Sequence, residues 1–201
     1  MNINDELKKI EFEIRHITET YTGDLTGGCI IGDGPAPCEI LFIGEAPGKT
    51  EVEQGKPFVG MAGKTFEKYL NSIGLSRNNI RITNTCFFRP IKSKENLNGR
   101  KSISNRAPKV SEINLFKHIA EREIQLVNPK IIITLGNIPL KQWTSCSNIG
   151  ECHGKLIFNN NLNTYIFPMY HPSSLTYNRS EDFLKSYEED WLKLKESLAS
   201  I

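Results

Sequence analysis

The sequence predicts an α/β fold built on a central, mainly parallel sheet of four strands. Three observations carry that reading. Four short runs are apolar and β-branched: EILFIG (39–44), IRITN (80–84), KIIITLG (130–136) and TYIFPMY (164–170). Stretches with helical periodicity lie between or after them, and strands that alternate with helices pair in parallel. Each run also ends in glycine or in a polar cluster, as a short sheet strand does at its carboxyl end.

Taken in order, the first segment is an amphipathic helix, with Ile3, Leu7, Ile10, Ile14 and Ile17 stepping by four and three. Residues 23–38 are rich in Gly and Pro and read as loop. The first strand follows and runs into FIGEAPGKTEVEQGKPFVG (42–60), where Gly and Pro forbid a longer strand or a long helix. Met61, Thr65, Phe66, Tyr69 and Ile73 make the next helical stripe, before the second strand. Residues 91–108 (IKSKENLNGRKSISNRAP) show no clear periodicity and read as an unusually long loop. Ile113, Phe116, Ala120, Ile124 and Val127 then mark a helix leading into the third strand. After the fourth strand, Phe183, Tyr187, Trp191, Leu194 and Leu198 mark the last helix. Ser180 is its expected cap, and Glu181 and Asp182 suit the positive end of its dipole.

A length of 201 residues predicts a single domain over 1–201 with a core that needs no staples. The net charge of +2 means that any nucleic-acid contact must rest on a local patch. No run of 18 apolar residues occurs and the opening MNINDELKK is polar, so neither a membrane span nor a signal peptide is expected. The expected location is therefore cytoplasmic. Cys29, Cys38, Cys86, Cys146 and Cys152 form no CxxC pair and read as scattered thiols of a reducing compartment.

The four strand ends carry the polar groups: GEAPG (44–48), Asn84, Gly136-Asn137 and Tyr170-His171-Pro172-Ser173-Ser174. Ligands of open parallel sheets bind beyond the carboxyl ends of the strands, so these four ends define one expected cleft. Taken singly, the residues have ordinary explanations. A histidine after a strand is commonly structural, a phenylalanine commonly core, and an asparagine at a strand end a turn residue. GEAPG is neither a Walker loop nor GxGxxG, which disfavours a nucleotide cofactor.

Together, GEAPGKTEVEQGKPFVGMAG (44–63), ITN (82–84), RP (89–90), NRAP (105–108), VNPKIIITLG (127–136) and YHPSSL (170–175) resemble the uracil-DNA glycosylase superfamily, closest to its family 4, in the family's order. The resemblance implies a three-layer αβα sandwich and a monofunctional DNA N-glycosylase that hydrolyses uracil from uracil-containing DNA, in a step that needs no metal; the alternatives are a non-catalytic DNA- or uracil-binding relative, or a glycosylase for another deaminated or damaged base, and a monomer is expected. It places Phe58 as the stacking platform for the extruded base, in a pocket shaped by the Gly44 and Ala46 backbone. It makes Asn84 the reader of the uracil edge and Glu51 the group that blocks a C5 methyl. His171 is the donor to uracil O2, and Glu45 is the nearest carboxylate to hold the water, since Ala46 stands where family 1 relatives carry an aspartate. Ser173 is placed on a phosphate and Leu175 as the wedge entering the base stack. Lys92, Lys94, Arg100, Lys101, Arg106 and Lys109 oppose only Glu95, a local excess of five positive charges suited to a DNA backbone.

Two departures accompany the resemblance. Family 4 enzymes usually hold a [4Fe–4S] cluster on four cysteines, but the corresponding stretch 14–21 (IRHITETY) has none, and Phe88 and Phe116 stand at the other two positions. A cluster held in the family's way is therefore not expected. Fourteen residues (91–104) also separate RP from NRAP, where the family has a couple. A cross-linking branch of the superfamily carries a nucleophilic histidine in such an insert; this one contains no histidine, so no covalent adduct by that route is expected.

Overall fold

Side-chain alternation along the strands sorts the core into two halves. In the computed structural model, which describes residues 2–95 and 98–201, a five-stranded sheet is formed by β2 (Ile40–Gly44), β3 (Arg81–Asn84), β6 (Ile131–Leu135), β8 (Thr164–Met169) and β7 (Ile157–Asn159). They lie in the order β3-β2-β6-β8-β7. The first four are parallel, and β7 pairs antiparallel with β8. Leu41, Ile43, Ile132 and Ile166 point to one face, where α1 (Ile3–Thr20) and α4 (Val110–Val127) cover them with Ile10, Ile14, Phe116, Ile119 and Val127. Phe42, Ile82, Ile131, Ile133 and Phe167 point to the other, against α3 (Met61–Ser72) and α8 (Glu181–Leu198), which supply Phe66, Leu70, Tyr187 and Trp191. This is a three-layer αβα sandwich, because a parallel sheet has two apolar faces that each need a helical cover.

The four expected strands are all present, and the sheet has a fifth. The three residues of β7 are only partly buried, too short a run to show a period in sequence. Residues 23–38 are also not wholly loop, since β1 (Thr26–Cys29) lies there. The expected loop 91–108 is instead largely a β-hairpin of β4 (Phe88–Glu95) and β5 (Lys101–Asn105), with Lys92 opposite Ser104 and Lys94 opposite Ser102. Residues 96 and 97 of that stretch lie outside the described residues. Both faces of the distal hairpin are exposed, and Ile103 is the one apolar residue among those described there, so no apolar alternation betrays the strands. β1, β4 and β5 form a separate three-stranded sheet.

The thiol expectation needs one correction. Cys146 and Cys152 form a disulfide, because the turn from α5 (Asn137–Trp143) into α6 (Ile149–Cys152) brings their Cα atoms to 6.6 Å. Cys29, Cys38 and Cys86 are free. Among the described residues, no helix is long and apolar enough to cross a membrane.

Candidate active site

The parallel register brings the strand ends to one edge. Gly44 at the end of β2 sits opposite Asn84 at the end of β3, while β6 and β8 end in register at Leu135 and Met169. A cleft of about 720 Å³ opens there, lined by Glu45, Ala46, Glu51, Phe58, Asn84, His171 and Ser173 among others.

The floor depends on Gly44. A Cβ there would lie 2.6 Å from Asn84 Oδ1 and 2.8 Å from the Phe58 ring, so any side chain would displace the two residues that form the floor. Asn84 is 4% exposed, and its side-chain amide makes no hydrogen bond to another described residue. The amide opens toward the cleft, where water or a bound polar group completes it. Beneath it β3 is anchored by a buried ion pair, Arg81 to Glu123 at 2.7 Å, and by the Thr83 hydroxyl donating to Glu123 at 2.7 Å.

Phe58 adopts a left-handed backbone, φ 53°, an uncommon conformation for a bulky residue outside a functional constraint. Two devices hold it. Arg77 donates to the Pro57 carbonyl at 3.1 Å and to the Phe58 carbonyl, and is itself fixed by Glu67 at 2.9 Å. The Glu51 carboxylate, from α2 (Lys49–Gln54), accepts from the backbone N–H groups of Val59 and Gly60 at 3.1 and 2.7 Å. Glu51 thus ties the loop to the start of α3 while it lines the cleft. Phe58 packs against Phe66, centroids 5.1 Å apart, and against the His171 ring at 5.5 Å.

His171 follows β8 by one residue and packs against Gly136, whose φ of 92° suits glycine and at which a Cβ would meet His171 Cβ at 3.3 Å. The Ser173 N–H donates to His171 Nδ1 at 3.2 Å, and the Ser173 hydroxyl lies 2.7 Å from the same nitrogen. Nδ1 is therefore the acceptor, and the ring proton resides on Nε2. Burial pushes the pKa down to about 4, opposed weakly by the Glu51 charge, so the ring is neutral at neutral pH. Tyr170 beneath it stacks at 4.6 Å on His153, whose Nδ1 pairs with buried Asp190 at 2.7 Å. Glu45 is half-buried, and burial raises its carboxyl above the ordinary carboxylate range. Its backbone is pinned by Cys86 N–H donating to the Glu45 carbonyl at 2.9 Å.

The wall opposite is the three-stranded sheet. Lys92, Lys94, Arg100 and Lys101 are all exposed on its hairpin. Arg106 and Lys109 do not add to that charge. Arg106 is bound by Glu112 at 2.5 Å, and Lys109 by Asp24 at 2.5 Å. Burial alone would raise the Glu112 carboxyl, yet Arg106, the Lys109 N–H and the Tyr21 hydroxyl hold it below the usual range. Leu175 is half-buried against the α3/α8 core. Sequence reasoning missed Arg77 and Asn105. Arg77 acts through backbone carbonyls remote in sequence. Asn105 lines the cleft and accepts from Arg89 at 2.7 Å, and it becomes visible only once the hairpin is seen as a wall.

The residues present do not fit the family's iron–sulfur cluster. Phe88 and Phe116 meet edge-to-face at 5.2 Å, with Tyr21 against Phe88 at 5.0 Å, so aromatic rings stand where ligands would be needed. Cys86 beside them is buried, and burial pushes its thiol far up, away from the thiolate a metal takes. Among the described residues no three His, Cys, Asp or Glu side chains gather to hold a metal.

An open amide, an aromatic ring and a neutral imidazole thus line one cleft of an α/β sandwich. The family model of the uracil DNA glycosylase superfamily matches residues 31–195, and the chain belongs to that superfamily. It is 36% identical over 205 residues to a type-4 uracil-DNA glycosylase of Saccharolobus solfataricus, covering 98% of this chain and 88% of that protein. It is 33% identical over 200 residues to one from Sulfurisphaera tokodaii, covering 96% and 84%. A third, from Archaeoglobus fulgidus, is 30% identical over 179 residues, covering 82% and 79%.

Proposed function

We propose that the protein is a monofunctional uracil-DNA glycosylase that works without an iron–sulfur cluster, on uracil-containing DNA. The observation that carries this reading is the meeting of Phe58, the open Asn84 amide and the Nε2–H of His171 in one cleft. A base inside a duplex cannot reach such a cleft, so the nucleotide is extruded and its ring stacks on Phe58. Uracil presents an O4 acceptor and an N3–H donor, which the Asn84 amide complements with its N–H and its carbonyl. Cytosine reverses both and leaves buried groups unpaired. Glu51 stands on the side of the cleft assigned to C5, so a thymine methyl meets its carboxylate.

When the C1′–N1 bond breaks, its electron pair moves onto the base and collects at N1 and O2. The His171 Nε2–H donates to O2, and a neutral donor is suited to a developing anion because it need not give up its proton. The Glu45 carboxylate holds the water that adds to C1′ and takes its proton, leaving an abasic site and the uracil anion, which becomes free uracil when it takes up a proton as Glu45 releases one. Its raised pKa favours that proton transfer. Ser173 and the cations Lys92, Lys94, Arg100 and Lys101 hold phosphates, while the 173–177 turn faces the base stack.

The test is incubation with oligonucleotides carrying U:G, U:A, single-stranded U and C:G, followed by alkaline cleavage, with Asn84→Asp run in parallel. Strand breaks at uracil by the wild type, and a shift of preference toward cytosine in Asn84→Asp, are expected, because a carboxylate accepts from the exocyclic amine and repels O4. No break at any uracil overturns the function. An unchanged uracil preference in the variant removes Asn84 from base reading.

A further inference from the structure

Asp190 of α8 is wholly buried, and the chemistry proposed above makes no use of it. Its Oδ2 lies 2.7 Å from His153 Nδ1, and a carboxylate only accepts, so Nδ1 carries the proton. Oδ1 has no hydrogen-bond partner among the described residues, and Lys193 Nζ stands 4.0 Å from it. A buried ion pair of this kind adds little to stability beyond what well-packed apolar side chains would supply. What it does supply is a fixed place for its partner.

That partner lies against the cleft. His153 directly follows Cys152, which the disulfide to Cys146 holds in place. Its ring packs on the Tyr170 ring, centroids 4.6 Å apart, and Phe183 meets Tyr170 edge-on at 4.9 Å. Tyr170 lines the cleft and immediately precedes His171. Asp190 also fixes Gly154, where φ is 67° and a Cβ would collide with Asp190 Oδ1. The Gly154 N–H in turn donates to the Pro168 carbonyl of β8 at 2.9 Å. Beyond the histidine, α7 (Ser174–Tyr177) begins with the Ser174 N–H donating to the His171 carbonyl at 2.8 Å. Asp190 therefore reaches the backbone that carries His171 by two routes, through His153 onto Tyr170 and through Gly154 onto β8.

We infer that Asp190 and His153 are positioning residues for His171, holding Tyr170 and the end of β8 where the Nε2–H meets uracil O2. The inference rests on the uracil-glycosylase reading and adds to it the residues that aim its donor. Ser173 sets which ring nitrogen carries the proton, and the buried pair sets where that nitrogen stands. Misplacing a reacting group by about 1 Å can cost about 100-fold in rate.

The experiment is a double-mutant cycle on single-turnover uracil release: wild type, His153→Ala, His171→Ala and the double variant. Asp190→Ala and Asp190→Asn are run alongside, with DNA affinity by anisotropy and Tm measured on every sample. His153→Ala is expected to slow release by about 10- to 100-fold with DNA affinity unchanged. In the His171→Ala background the same substitution should change the rate by less than about twofold, because no donor is left to misplace. A merely structural role would lower Tm and cost the same factor in both backgrounds. Asp190→Ala should match His153→Ala, and Asp190→Asn should restore most of the rate, since an amide oxygen still accepts from Nδ1. If Asp190→Ala does not fold, the His153 cycle still decides, because that side chain is 21% exposed and lies at the edge of the core. Equal factors in both backgrounds, or no loss in either, overturn the inference alone. Absence of uracil release by the wild type overturns the underlying function and this inference with it.

Discussion

His171 keeps its ring proton on Nε2 without being charged, and its surroundings explain why. Ser173 occupies Nδ1 from both its N–H and its hydroxyl, which fixes the proton on Nε2, and burial keeps the ring neutral down to about pH 4. On the proposed mechanism, activity should not depend on histidine titration near neutrality, and its decline in acid should follow protonation of Glu45, whose carboxyl is raised by burial. Replacing His171 with alanine should slow single-turnover base release by roughly 100- to 1000-fold, the usual effect of losing one donor to a developing oxyanion. DNA affinity, measured by anisotropy, should stay within about twofold. Equal loss of rate and affinity would make His171 a structural residue. Phe58, Asn84 and His171 were singled out in sequence by the family motifs that contain them, and the fold brings the three to one cleft. Their conformations were not legible there: the left-handed Phe58 backbone depends on Arg77, whose two carbonyl partners lie 19 and 20 residues away.

The β4–β5 hairpin shows the same limit one level up. Its basic charge was readable, but its strands were not, because Lys92, Ser93 and Lys94 are exposed whichever way they point. Pairing also changes which cations are available to DNA, since Arg106 and Lys109 are engaged by Glu112 and Asp24. Lys92 and Lys94 are two residues apart on β4, so they share one face of the hairpin and can address successive phosphates. Neutralising Lys92, Lys94, Arg100 and Lys101 together should flatten the dependence of log Kd on log salt by about 0.9 for each duplex phosphate that the protein no longer neutralises. An unchanged slope would return the hairpin to a solvated surface element. Helices α1, α3, α4 and α8 were legible as helices, though not to their ends, because each has one apolar stripe facing the sheet and a polar outer face.

At the scale of the whole molecule, the sheet order does what no single motif can. The order β3-β2-β6-β8 sets Asn84 beside Gly44 and puts the ends of β6 and β8 on the same edge. Residues from positions 45, 58, 84 and 171 thereby share one cleft. That convergence was legible as a rule of parallel sheets; the cleft's far wall, to which β4 and β5 contribute Pro90 and Asn105, was not, because a hairpin exposed on both faces carries no strand signal. Away from the cleft, Tyr21, Phe88 and Phe116 pack as an aromatic core on the α1/α4 side, so that region is held by apolar burial. On this reading, the fold and the chemistry of the glycosylase are complete in the polypeptide. The most direct measurement is single-turnover release of uracil from duplex DNA by protein dialysed against a strong chelator, with its iron content and Tm determined on the same sample. Uracil release at the undialysed rate, with unchanged Tm and no stoichiometric iron, is the predicted result. No uracil release from either preparation, or loss of rate and Tm that iron and sulfide restore, would contradict it.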